Sequence, residues 1–219
     1  MKRRTMTLRR YGDACGIATA LDIVGERWAL LLVRELLLGP KRFADLQAGL
    51  PGAGPNVLTQ RLQELEAAGV IRRRTLPPPA GSRVYELTEW GAELDTIMSP
   101  LGRWGIRSPV VPVAGKIGAD SIMLGLRNSF VPQARRPWTA SYEIALGRDR
   151  FRVRVADGSL VEVARGHAAN PDATIETDPG TLKTIISGSR TLAAAVKAGD
   201  VSVSGDRKAV QRLVDAIGM

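Results

Sequence analysis

Residues 55–87 read PNVLTQRLQELEAAGVIRRRTLPPPAGSRVYEL, and two different periodicities meet inside them. In the first part Leu58, Leu62 and Leu65 share one face at about 100° per residue. Pro55 suits a first helical turn and Gly69 a C-terminal cap, so this part is a helix. The second part holds two β-rich runs joined by a proline-glycine loop, the pattern of a hairpin.

The far face of that helix carries Asn56, Thr59, Gln60 and Gln63, with Arg61 on its flank and the acids Glu64 and Glu66 toward its end. Asn and Gln side chains pair bidentately with adenine edges and Arg with guanine. A helix N-terminus also favours phosphate. On an isolated helix such a face is ordinarily a solvated surface. The hairpin behind it changes the reading. Arg72, Arg73, Arg74 and Arg83 flank its loop, where positive charge would meet phosphate. A helical pair whose second member is polar, followed by a hairpin, is the element order of a winged helix-turn-helix. There the second helix enters the major groove, and the hairpin loop reaches phosphates or the minor groove.

Toward the N-terminus, CGIATALDIVG places Ile17, Ala20, Leu21 and Val24 at helical spacing. ERWALLLVRELLLGP follows; Trp28, Leu31, Leu32, Leu36 and Leu38 leave little polar face, which predicts a central buried helix stopped by Gly39-Pro40. RFADLQAGL is a short helix with Phe43, Leu46 and Leu50 inward. The opening MKRRTMTLRRYGDACG is basic with no apolar run behind it, and reads as an arm rather than a signal peptide.

Three blocks in order, CGIATALDIVGERWALLLVRELLLGPKRFADL, GPNVLTQRLQELEAAGVIRR and PPPAGSRVYELTEWG, resemble the HxlR-type winged-helix regulators, relatives of the MarR type. The likeness covers about residues 13–107. It implies a cytoplasmic, homodimeric transcriptional regulator, read here as a repressor, that binds double-stranded DNA. The recognition helix would be Pro55 to Gln63 and the wing Pro77 to Arg83, with Ser82 in it. A last helix, TEWGAELDTIMSPLGRWGIR, would carry Leu94, Ile97, Met98, Leu101 and Trp104 against the first helix of a second subunit. Some members of the family carry a redox-sensing cysteine where Cys15 stands, at the start of the first helix. A helix N-terminus lowers a thiol pKa; the plain alternative is a small apolar residue.

Prolines and glycines from Ser108 to Gly118 mark a linker, so the division read here is a basic arm at 1–12, a winged helix at 13–107, the linker at 108–118 and a second domain at 119–219. In the last of these ADSIMLGLRNSF is helical, and four strand-like runs follow. Tyr142, Ile144 and Leu146 alternate, as do Phe151, Val153 and Val155 against Arg152 and Arg154, which predicts a sheet with one face buried. Asp157-Gly158 is a hairpin turn. Three helices and the short strand VSVSG close the chain, with Asp178 and Asp206 as N-caps.

FRVRVADGSLVEVARG, NPDATIETDPGTL and AAAVKAGDVSVSGD resemble the sterol-carrier-protein type 2 fold, over about residues 119–218. The resemblance implies an α/β domain, a five-stranded sheet with helices on one side, and an apolar tunnel for lipids or other hydrophobic molecules. Its lining is expected at Tyr142, Ile144, Val153, Leu182, Ile186, Leu192 and Val196; a solid aliphatic core would give the same stripes.

Composition agrees with a folded protein and bounds its chemistry. The 219 residues are 44% apolar and 24% charged, which excludes a disordered or collagen-like chain, and aromatics at 5% require an aliphatic core. One cysteine and one histidine leave no internal disulfide and no Cys- and His-rich zinc site. The net charge of +9 calls for an anionic partner. No apolar run approaches membrane length. Phosphate-loop, dinucleotide and HExxH motifs are missing, and His167 precedes a loop without an acid and hydroxyl beside it. No catalytic residue, metal ligand or cofactor is expected. The whole reads as an α+β regulator whose second domain either senses an apolar ligand or serves as a dimerisation or spacer module. The alternative is a carrier of lipids or hydrophobic metabolites whose winged helix contacts proteins; there Asn56, Thr59, Gln60 and Arg61 would be wasted.

Overall fold

The computed structural model describes residues 10–78, 81–111 and 115–217. The chain divides into two compact units, Met1–Pro112 and Val113–Met219. Most of the predicted basic arm, the tip of the predicted wing at 79–80 and the middle of the predicted linker lie outside the described residues.

The first unit runs α1 (Gly16–Val24), α2 (Ala29–Leu36), α3 (Phe43–Gly49), α4 (Pro55–Ala67), β1 (Ile71–Thr75), β2 (Arg83–Leu87), α5 (Glu89–Ala92) and α6 (Asp95–Gly105). Its core is aliphatic. Leu32, Val33 and Leu36 of α2 meet Leu46 of α3 and Leu58, Leu62 and Leu65 of α4. The leucine stripe of α4 therefore faces inward, as its spacing requires. α2 is central and shorter than its apolar run. Trp28, in the left-handed region at φ 81°, starts it, and Leu31 on its outer side stays exposed.

This core also holds a charged pair that the apolar spacing does not predict. Glu35 of α2 is 2% exposed and accepts from Lys41 Nζ at 2.5 Å and Arg34 Nη2 at 2.7 Å. Lys41 also ties the hairpin to the helices: its N–H donates to Tyr85 O at 3.0 Å and its carbonyl accepts from Tyr85 N at 2.8 Å. β1 and β2 pair antiparallel, from Ile71 opposite Leu87 to Thr75 opposite Arg83.

The single helix predicted over TEWGAELDTIMSPLGRWGIR is corrected to two pieces, α5 and α6. The cause lies at Gly91. Thr88 caps α5, donating its hydroxyl to Gly69 O and accepting from Gly91 N. A Cβ at Gly91 would collide with the Val70 carbonyl, so the backbones of α5 and the α4–β1 turn touch there. That contact fixes α5, and the chain turns at Glu93–Leu94 before α6 begins. None of the described residues of α6 is buried.

The second unit runs α7 (Ala119–Ser129), β3 (Ala140–Leu146), β4 (Asp149–Ala156), β5 (Ser159–Arg165), β6 (Ala173–Thr177), α8 (Pro179–Ile186), α9 (Leu192–Lys197), β7 (Ser202–Gly205) and α10 (Arg207–Asp215). The sheet is mixed, in the order β5-β4-β3-β6-β7, with β3 and β6 parallel and the other pairs antiparallel. Register places Arg165, Phe151, Ile144, Ile175 and Val203 in one row across it. This is the covered face: Arg165 reaches Asp120 on α7 at 2.5 Å, and Tyr142 Oη donates to Ala209 O on α10 at 2.9 Å. The opposite face carries Arg150, Arg152 and Arg154 with Glu143 and Glu162, a polar surface of ion pairs. Asp178 and Asp206 cap α8 and α10 as predicted, each accepting from two backbone N–H groups. Asp157 and Gly158 form the β4–β5 turn at φ 48° and 73°.

Candidate nucleic-acid interface

α4 owes its position to burial. With Leu58, Leu62 and Leu65 sealed in the core, Asn56, Thr59, Gln60 and Gln63 are left exposed together. Gly54 and Pro55 open the helix. Thr59 Oγ1 donates to Pro55 O at 2.8 Å within its own helix. Gln60 Nε2 donates to Glu64 Oε1 at 2.9 Å. Arg61 behaves differently. Its side chain is 13% exposed and forms ion pairs with Glu64 one turn on and with Glu26, across the α1–α2 turn, at 3.1 Å. The spacing of Gln60, Arg61 and Glu64 could have signalled this network, since i, i+3 and i, i+4 positions are neighbours on a helix.

Beside α4, the hairpin gathers arginines. Arg72 and Arg74 both donate through Nε to Glu86 at 2.8 Å, and Arg73 pairs with Glu66 at 2.8 Å while lying over Tyr85. Burial alone would raise the Glu86 carboxyl, but the two guanidiniums outweigh it and hold the group below its ordinary value. Arg72 and Arg74 keep their side chains largely in solvent, being 65% and 45% exposed. Arg83, opposite Thr75, is exposed, and Ser82 is half-buried.

The remaining predicted residues fall elsewhere. Cys15 is the N-cap of α1 and is exposed; backbone N–H groups of Ala18 and Ile17 hold its thiol below the ordinary value. The residues predicted to line one tunnel fall into two groups by exposure. Tyr142, Ile144 and Val153 are fully buried in the second unit, with Trp138 Nε1 donating to Tyr142 Oη at 2.9 Å. Leu182 and Ile186 are buried too. Leu192 and Val196 instead line a surface groove of about 360 Å³ with Val203, Lys197 and Arg207. His167 is exposed, 3.3 Å from Glu143. Among the described residues no cluster of His, Cys, Asp and Glu could hold a metal ion, and no helix is long and apolar enough to cross a membrane.

A buried helix pair, a polar helix laid across it and an arginine-bearing hairpin define the first unit as a helix-turn-helix of the winged kind. The chain belongs to the HxlR-like helix-turn-helix family of transcriptional regulators, whose model matches residues 23–109. It is 39% identical over 85 residues to the HTH-type transcriptional regulator YvaP of Bacillus subtilis, covering 39% of this chain and 79% of that one. It is 33% identical over 86 residues to YodB of the same organism, covering 39% and 77%. The solved reduced form of YodB superposes with a TM-score of 0.40 at 29% identity, covering 45% of this chain and 97% of that one. A second family model, the alkyl sulfatase C-terminal domain, matches residues 139–219, where the sequence reading expected sterol-carrier-protein likeness. A solved double mutant of the sec-alkyl sulfatase PisA1 overlays with a TM-score of 0.42 at 17% identity, covering 47% of this chain and 17% of that one.

Proposed function

We propose that the chain is a cytoplasmic DNA-binding repressor that lays α4 in the major groove and the β1–β2 hairpin on the flanking backbone. The observation that carries this reading is the exposed face of Asn56, Gln60 and Gln63 beside Arg72, Arg74 and Arg83. Amides read base edges and guanidiniums neutralise phosphates. The working form is a homodimer joined through α1 and α6. On α1, Ile17 and Leu21 are exposed, and on α6 Ile97, Leu101 and Trp104 are exposed, with Trp104 at 70%. Such apolar faces mark interaction surfaces. Two recognition helices then meet half-sites about 34–36 Å apart. The second unit is read as a sterol-carrier-type domain that takes an apolar ligand in the groove beside Leu192 and Val196, and Cys15 as a redox-responsive thiol at the base of the dimer helix. No catalytic role is assigned.

The test is recovery of bound duplexes from genomic fragments with the full chain, followed by mobility-shift titration. Arg83→Ala should weaken all duplexes alike and reduce the salt dependence by about one phosphate contact. Asn56→Ala together with Gln63→Ala should cost on the order of 1–3 kcal/mol per lost base contact at the recovered site only. If the folded chain retains no duplex, or if these variants bind as wild type does, the reading is wrong.

A further inference from the structure

Within the recognition helix the polar side chains are not independent. Gln60 is exposed, but its amide is already engaged by Glu64 Oε1 at 2.9 Å. A carboxylate only accepts hydrogen bonds, so the amide must turn its NH₂ toward Glu64. Its carbonyl and its second N–H are then the groups left for an outside partner. Glu64 is 17% exposed, and its other oxygen is held by Arg61 Nη1, so it is not free to swing aside. Arg61 is itself held from behind, through Nη2 to Glu26 at 3.1 Å across a separation of 35 residues. Even Arg61 Nε is sealed from solvent, with no partner among the described residues. Hydrogen bonds between charged groups are the stronger kind, so the chain Glu26–Arg61–Glu64–Gln60 is anchored at its far end in the α1–α2 turn.

We infer that this chain presets Gln60 to present its amide carbonyl, so that Gln60 selects adenine, with cytosine second, against guanine and thymine, while Arg61 is a positioning residue that touches no base. In the major groove adenine offers an N6 amine beside the N7 acceptor, and cytosine offers an N4 amine; guanine and thymine offer acceptors at the corresponding edges. The carbonyl left by Glu64 meets the amine of adenine or cytosine, and when Glu64 takes the amide hydrogen far from the carbonyl the remaining N–H completes a bidentate pair with adenine N7. Without the network a glutamine could flip and accept either pattern. The inference rests on the reading that α4 lies in the major groove.

The test uses the full chain to select bound duplexes from a randomised pool at fixed salt, with competition titrations of single-base variants. Wild type should show one position per half-site with adenine first, cytosine second, and guanine or thymine disfavoured by about 5–150-fold. Gln60→Ala should flatten that position and so identify it. Glu64→Gln should blunt the same position, because residue 64 could then offer Gln60 either a donor or an acceptor. Glu26→Gln and Arg61→Ala should loosen it too, leaving the other positions and the salt dependence as in wild type. Should Arg61→Ala fail to give the wild-type circular dichroism spectrum, the conservative Glu26→Gln and Glu64→Gln decide. The inference is overturned if Arg61→Ala erases a guanine preference at a separate position, if it removes about one phosphate contact from the salt slope, or if Glu64→Gln leaves the position as sharp as before. A folded wild type that selects no sequence would defeat the DNA reading itself. A selected operator whose Gln60-dependent position prefers guanine or thymine would defeat this inference alone.

Discussion

Replacing Lys41 with Met would leave the Glu35 carboxylate in the core with Arg34 as its one remaining charged partner of those two. Glu35 and Lys41 are 2% and 4% exposed, so the lost attraction is not restored by water. Breaking a buried pair from one side costs about 3–5 kcal/mol. Arg34 still reaches Oε1 at 2.7 Å and is 24% exposed, which places Lys41→Met at the lower end, about 3 kcal/mol at neutral pH. The pH dependence has a definite sign. Burial pushes the Glu35 carboxyl up, but Lys41 and Arg34 outweigh it, and in the native protein the group lies below its ordinary value. Its contribution to stability is therefore present above the unfolded value of about 4.3 and is lost as pH falls through the folded one. In Lys41→Met burial dominates, the carboxyl rises, and protonation relieves the penalty as pH falls. The gap between the two proteins should thus narrow from pH 7.5 to 4.5. Urea unfolding at both pH values, followed by fluorescence of Trp28, Trp90 and Trp104 in the first unit, measures it. A variant within about 0.5 kcal/mol of wild type at pH 7.5, or a gap that widens on acidification, would refute the reasoning. Glu35→Met with Lys41→Met should recover most of the loss, because no charge is left unpaired.

Other perturbations probe other links. Gly91→Ala drives a methyl group into the Val70 carbonyl and should cost about 1–3 kcal/mol, seen as a lower melting temperature for the first unit; an unchanged transition would mean that α5 is not pinned there. Leu101→Glu places a charge on the apolar face of α6 and should convert dimers to monomers in sedimentation velocity, and a wild-type chain that is already monomeric at micromolar concentration removes the interface. Alkylation of Cys15 by iodoacetamide should titrate with a midpoint below the ordinary thiol value of about 8.5, because backbone N–H groups at the start of α1 favour the thiolate; a midpoint at or above that value contradicts that stabilisation.

Much of the architecture was legible in the chain because it depends on period and punctuation. Leu58, Leu62 and Leu65 recur at helical spacing, and only one face of α4 can satisfy them; that alone left Asn56, Gln60 and Gln63 outside. Phe151, Val153 and Val155 alternate with arginines, which fixes the buried face of β4. Asp157-Gly158 and the capping aspartates act within a few residues, so they too were readable.

Contacts between distant residues were not. The break between α5 and α6 goes with a backbone approach at Val70; Gly91 within the TEWGAELDTIMSPLGRWGIR segment permits it, but its partner lies outside that segment. The aliphatic stripes of the second unit did not separate Tyr142, which is fully buried, from Leu192, which borders a surface groove, because periodicity states which face is apolar but not what volume lies against it. Arg61 has the composition of a base reader and the surroundings of a strut. Its neighbour Glu64 is visible at helical spacing, but Glu26 comes from 35 residues away, and only the folded chain brings that carboxylate within reach. The sequence determined which side chains face outward from the recognition helix. Tertiary structure decided which of them are free to act, because hydrogen-bond partners are set by distance in space and not along the chain.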